Sequence, residues 1–277
     1  MVFKTEQSGI NKASLSRLFA TLFIVAMAYW HAWRWYFNRV GATPEEAIGL
    51  LAIFIFMVIW ATFTVMQRGS LYTFSLVPVA LMLVIYGLSF LLPTPNIIRA
   101  AIAFTTVFMV IYRTQFGTAP PLSFWALIAL SLPVVPSLQF YLGFPARYIS
   151  AGLTVPLLQI NGFSVTQSGT NLQWQGQLLQ FDAPCSGVTM LWAGLLLTLF
   201  IALVYRFNWI NTLGAMVIAV VFVLFGNVLR ASSLFYVESG IINVQEPWLH
   251  EGIGVAAFAL TAAGIVITLS AWQRRIT

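Results

Sequence analysis

The chain has 277 residues, of which 60% are hydrophobic and only 7% charged, and its mean hydropathy is +0.90. Soluble domains carry roughly 25% charged residues, so this composition excludes an aqueous globular surface and indicates a polytopic membrane protein. The net charge of +6 arises from 13 basic residues scattered singly between apolar runs, which excludes the basic patch that nucleic-acid binding requires.

At the amino terminus Lys4, Lys12 and Arg17 precede an apolar stretch in which Ala26-Met27-Ala28 resembles a signal-peptidase site. Apolar character continues through Tyr29, Trp30 and Trp33 as in an interfacial aromatic belt, so the segment reads as a retained helix. His31, beside Arg34, reads as an interfacial residue without a role. A crossing of the hydrocarbon core takes about 20 residues, and runs of that kind cover 15–33, 47–66, 71–92, 96–112, 121–140, 186–205, 208–229 and 252–272. Segment 141–160 is also apolar but is interrupted by Gly143, Pro145, Arg147, Gly152 and Pro156. It reads as an interfacial or re-entrant piece of irregular backbone, which membrane depth tolerates only where protein or water covers it. The polar, glycine-punctuated stretch 161–184 reads as a small hairpin or extended arm at the membrane surface. The expected fold is therefore all-α and polytopic: about eight transmembrane helices in one integral-membrane domain over 1–277, with a short extracytoplasmic loop before the sixth helix.

With eight crossings, one side of the membrane receives eight basic residues and one acid, and the other receives five basic residues and six acids. The balance is plus seven against minus one, which sums to the +6 of the whole chain. The positive-inside rule then places both termini in the cytoplasm.

On the opposite, outer face this topology gathers the residues able to do chemistry. Cys185, the sole cysteine, sits in Asp182-Ala183-Pro184-Cys185-Ser186-Gly187 immediately before an apolar helix. A thiolate there would feel the positive end of the helix dipole, which lowers thiol pKa, and Pro184 with Gly187 permits a tight entry. The bland alternative is a small core hydrophobe. Arg230 ends the run from Val217 to Leu229, with Asn227 three residues earlier on the same helical face. It is either a snorkelling anchor or, as ionisable groups at membrane depth usually are, an inward-facing functional group. His250 precedes the last helix between Glu246 and Glu251, and is either a surface histidine or a base oriented by a neighbouring carboxylate. There is no G-x-S-x-G elbow, no H-E-x-x-H and no Walker loop, and one cysteine with two histidines makes a structural zinc site implausible. What remains is thiol chemistry, or none, and no cofactor is expected.

Pro-Cys-Ser-Gly at 184–187, Asn-x-x-Arg at 227–230 and a histidine ahead of the last helix resemble the exosortase/archaeosortase family. The resemblance covers most of the chain and is most specific from about 160 to 260. It implies Cys185 as nucleophile with Arg230 and His250 as its partners, while the local sequence offers Asp182, Ser186, Gly187, Asn227 and Glu251 as substrate-binding or supporting residues. Archaeal relatives are similar but carry arginine where His250 stands, so this chain is similar to the bacterial branch and is expected in a bacterial inner membrane. The family implies cleavage, at the outer membrane face, of exported proteins that end in a recognition motif, a helix and a basic cluster. The new carboxy terminus would pass to an unidentified amine acceptor. Two other readings stand beside this one: a plain intramembrane cysteine protease, and a non-enzymatic transporter or polysaccharide-export subunit. No evident inverted repeat and few intramembrane charges speak against a transporter.

Overall fold

A computed structural model describes residues 12–42, 44–66, 72, 75–179, 186–242 and 247–276. The chain divides into two compact units at Val134/Val135, and helices dominate both. Among the described residues, three helices are long and apolar enough to cross a membrane: Asn96–Phe116, Trp209–Glu238 and Trp248–Ile276.

The first unit contains α1 (Lys12–Ala28), α2 (Trp30–Val40), the single turn α3 (Pro44–Ala47), α4 (Gly49–Met66), α5 (Val77–Leu88), α6 (Asn96–Phe116) and α7 (Leu122–Ser131). The run expected over 15–33 is thus two helices joined at Tyr29, and the second carries on to Val40. Tyr29 is fully buried, and its hydroxyl is 2.9 Å from Thr106 Oγ1 on α6. Small buried residues on α6, Ala100 and Ala103, allow close approach of its neighbours, and α1, α2, α5 and α7 all pack against this helix.

The second unit contains α8 (Val135–Ile160), strands β1 (Thr166–Ser168), β2 (Asn171–Trp174) and β3 (Gln177–Leu179), then α9 (Val188–Val204), α10 (Trp209–Glu238) and α11 (Pro247–Ile276). Four boundaries depart from the sequence reading. The helix expected over 121–140 stops at Ser131, because Pro133 biases the residue before it away from helical backbone; Leu132 is extended at φ −73°, ψ 156°. The irregular segment expected at 141–160 is helical throughout, with Pro145 and Pro156 inside α8. Its buried positions Gly143, Ser150, Thr154 and Leu158 form one stripe at helical spacing, so packing against α9 and α10 overrides weak local propensity. Helix α10 runs on past Leu229 to Glu238, and α11 starts at Pro247, before the 252 that hydropathy gives. In both cases the helix outlasts the apolar run, because hydropathy marks membrane thickness and backbone hydrogen bonding does not end there.

The polar arm is a three-stranded antiparallel sheet, one strand more than a hairpin, in the order β1-β2-β3. Thr166 pairs with Gln173, and Leu172 with Leu179. The β2–β3 connection is two residues, Gln175 and Gly176, both with positive φ (49° and 79°), as a type I′ turn requires. One face of the sheet is apolar: Leu172 and Val165 are buried with Ala151 and Leu158 of α8 and Ala231, Leu234 and Phe235 of α10. Rings of Phe163 and Trp174 stand edge-on to Phe235 at 5.3 and 5.5 Å. The sheet thereby packs against the stretch of α10 just beyond Arg230.

Candidate active site

Helix α9 begins at a position fixed from three sides. Gly187, its N-cap, has φ +75°, a left-handed conformation natural to glycine and costly to other residues. Space imposes the same choice, since a Cβ at Gly187 would stand 2.7 Å from Asn227 Cγ. Asn227 is buried on α10, and its Nδ2 donates to Ser150 Oγ of α8 at 2.9 Å. Ser186, also buried, donates from Oγ to Gln139 Oε1 of α8 at 2.8 Å and accepts from the Val188 amide at 3.3 Å. Ser186-Gly187 is thus locked to α8 by one hydrogen bond and seated on Asn227, which a second bond ties to α8.

Cys185 immediately precedes this lock in the sequence. Cys185 and Asp182 themselves lie outside the described residues, as does Glu246. Arg230 follows Asn227 by three residues, less than one turn, and is half-buried. It is not at the end of its helix, as hydropathy suggested, but two turns before it. Its guanidinium lies flat against α11 at Gly254, where a Cβ would be 3.3 Å from Nε and 3.5 Å from Cζ. His250 lies one turn before Gly254, inside the first turn of α11 and not ahead of it. Its Nδ1 is 3.8 Å from Glu238 Oε1 at the end of α10, and both side chains are partly exposed. Glu251, expected to support the histidine, is exposed; the carboxylate facing the ring is Glu238.

An apolar cavity of about 240 Å³ adjoins the lock between α8, α9 and α10. Ser186, Gly187 and Asn227 bound one end, while Pro145, Leu191 and Val220 line its flank.

The structure therefore brings Ser186, Gly187 and Asn227 into contact, and sets Arg230 against the helix that bears His250. Sequence reasoning missed Gln139, Ser150, Glu238 and Gly254. Lone polar residues within apolar helical stretches were the available signal for Gln139 and Ser150. Gly254, one turn after His250, had only its spacing.

Fold and site together define a helical membrane protein with a polar, fixed helix start beside its only cysteine, and a cationic side chain held between its last two helices. The family model for transmembrane exosortases matches residues 10–267, nearly the whole chain. The chain belongs to that family. No curated protein and no solved structure gives a match.

Proposed function

We propose that this chain is a membrane-embedded cysteine transpeptidase that cleaves carboxy-terminal sorting signals of exported proteins. Each substrate would present a short motif, an apolar helix and a basic cluster. In this reading the chain crosses a bacterial inner membrane about eight times with both termini in the cytoplasm, and the site faces outward. Membership of the exosortase family supports the reaction class. The observation that carries the residue assignment is the Ser186-Gly187/Asn227 lock. It fixes the residue after Cys185 onto α10 less than one turn from Arg230.

The chemistry follows from these groups. The Cys185 thiolate attacks the scissile carbonyl; a C–S bond forms and the carbonyl oxygen takes the negative charge. Arg230 offers that oxyanion a permanently charged, planar donor, for which the missing side chain of Gly254 leaves room. Collapse breaks the C–N bond, and His250 delivers the proton that lets the amine-bearing helix leave. An amine acceptor then attacks the thioester, gives its proton to His250 and expels the thiolate, joining the new carboxy terminus to the acceptor by an amide. The apolar cavity beside Ser186 suits the first turn of the substrate helix on the leaving side of the bond. With water as acceptor the same groups give a plain protease, and the product distinguishes the two. Mass spectrometry of a tagged substrate processed in membranes should find its new carboxy terminus in amide linkage. A free carboxylate throughout assigns hydrolysis instead.

A further inference from the structure

A second polar site lies in the first unit. It is a cavity of about 230 Å³ at the Asn96 end of α6, lined by His31, Arg34, Asn38, Phe90, Asn96 and Arg99 among others. Two arginines, a histidine and two amides meet there, and no carboxylate is among the lining residues. Arg99 is placed with care. Its Nη1 donates to Asn96 Oδ1 at 3.1 Å, its Nη2 to the Ser89 carbonyl at 2.9 Å, and its Cζ stands 4.3 Å over the Phe90 ring. Its Nε is buried without an acceptor among the described residues.

The electrostatics are unfavourable as they stand. Arg99 occupies the first turn of a 21-residue helix that has no acid in that turn, where the macrodipole is positive and a cation is disfavoured. Arg34 adds to the same field from α2. A buried donor left unsatisfied is costly. A single anion in the cavity would offset the helix end and the two arginine charges at once. Since α6 is a candidate membrane span, its end lies at the boundary where lipid phosphates reside.

We propose that this cavity binds a phosphate group, presented either by a phospholipid headgroup or as a free phosphate. Arg99 is the principal ligand, Arg34 closes the mouth, and Asn38 and Asn96 supply neutral donors. Phosphate suits this lining because two arginines and two side-chain amides, with no carboxylate beside them, offer donors to several oxygens of one group.

The test uses the full-length protein in an uncharged maltoside detergent. Inorganic phosphate and dihexanoyl phosphatidylglycerol are titrated separately by calorimetry, with a short-chain diacylglycerol as the phosphate-free control. Binding of a phosphate probe, weakened on the order of tenfold or more by Arg34→Gln or Arg99→Gln and unchanged by Arg113→Gln at the far end of α6, is the expected result. Lipid binding well above that of inorganic phosphate identifies a headgroup site, and equal binding identifies a site for free phosphate. Arg34 is exposed on α2, so its variant decides the matter if Arg99→Gln does not fold. No binding of either probe, or binding that both arginine variants leave intact, overturns the proposal.

Discussion

Replacing Gly187 with alanine attacks the site through its scaffold and leaves every reacting group in place. Two costs are separable. The backbone at φ +75° strains any residue bearing a Cβ, by about 1–3 kcal/mol. The new methyl would also lie 2.7 Å from Asn227 Cγ, closer than packing allows, so the amide must swing away from Ser150. A buried hydrogen bond broken in this way costs about 1–3 kcal/mol more. Gly187→Ala should therefore destabilise the protein by roughly 2–6 kcal/mol, the sum of the two. It should also slow processing on the order of 10²-fold, because about 1 Å of misplacement next to the nucleophile suffices for that. A double-mutant cycle isolates the steric part. In an Asn227→Ala background the clash and the hydrogen bond are already gone, so adding Gly187→Ala should cost only the backbone strain. The coupling should then be at least about 1 kcal/mol, as for residues in direct contact. Stability is read by chemical denaturation in detergent and activity by cleavage of a tagged substrate. Strict additivity would show that Gly187 and Asn227 do not act on each other, and wild-type behaviour of the single variant would show that glycine is not required there; either result would refute the lock.

Arg230→Lys should retain expression and insertion but lose processing on the order of 10²-fold or more, since lysine snorkels yet lacks the planar fork; pulse-chase cleavage assays measure it. Gly254→Val should push the guanidinium off α11, 3.3 Å from the added carbon, and reduce kcat on the order of 10²-fold. Gly252→Val, whose added carbon meets only Trp248 at 3.9 Å, should leave kcat near normal. His250→Ala should lower the rate by roughly 10²–10⁴-fold. Glu238→Gln should lower it less, because the carboxylate 3.8 Å from Nδ1 only orients the ring. Equal losses in those two variants would make Glu238 a proton carrier in its own right.

The helical membrane class was legible because twenty-residue apolar runs leave no other solution, and the candidate site residues stood out against so few charged groups. Element ends were less so. Arg230 and His250 both read as lying outside their helices, since hydropathy falls at the membrane surface while α10 and α11 continue into the polar zone. Segment 141–160 failed for a different reason. Two glycines and two prolines argue for irregular backbone locally, yet a buried stripe from Gly143 to Leu158 packs against α10 and holds α8 together. The third strand was missed because β3 is three residues long and only its pairing with β2 defines it. Contacts such as Gly187 on Asn227, or Arg230 on Gly254, depend on how helices are set side by side. No one-dimensional pattern encodes that.

The central claim is covalent catalysis at Cys185, and the direct measurement is the acyl-enzyme itself. Membranes holding the protein and a tagged sorting-signal substrate are quenched in acid, and the peptide spanning Cys185 is examined by mass spectrometry with and without hydroxylamine. The account predicts a substrate-derived acyl group on Cys185 that hydroxylamine releases. In Cys185→Ala both the adduct and substrate cleavage should vanish while the protein remains inserted. Normal cleavage of the substrate by Cys185→Ala would contradict the account outright.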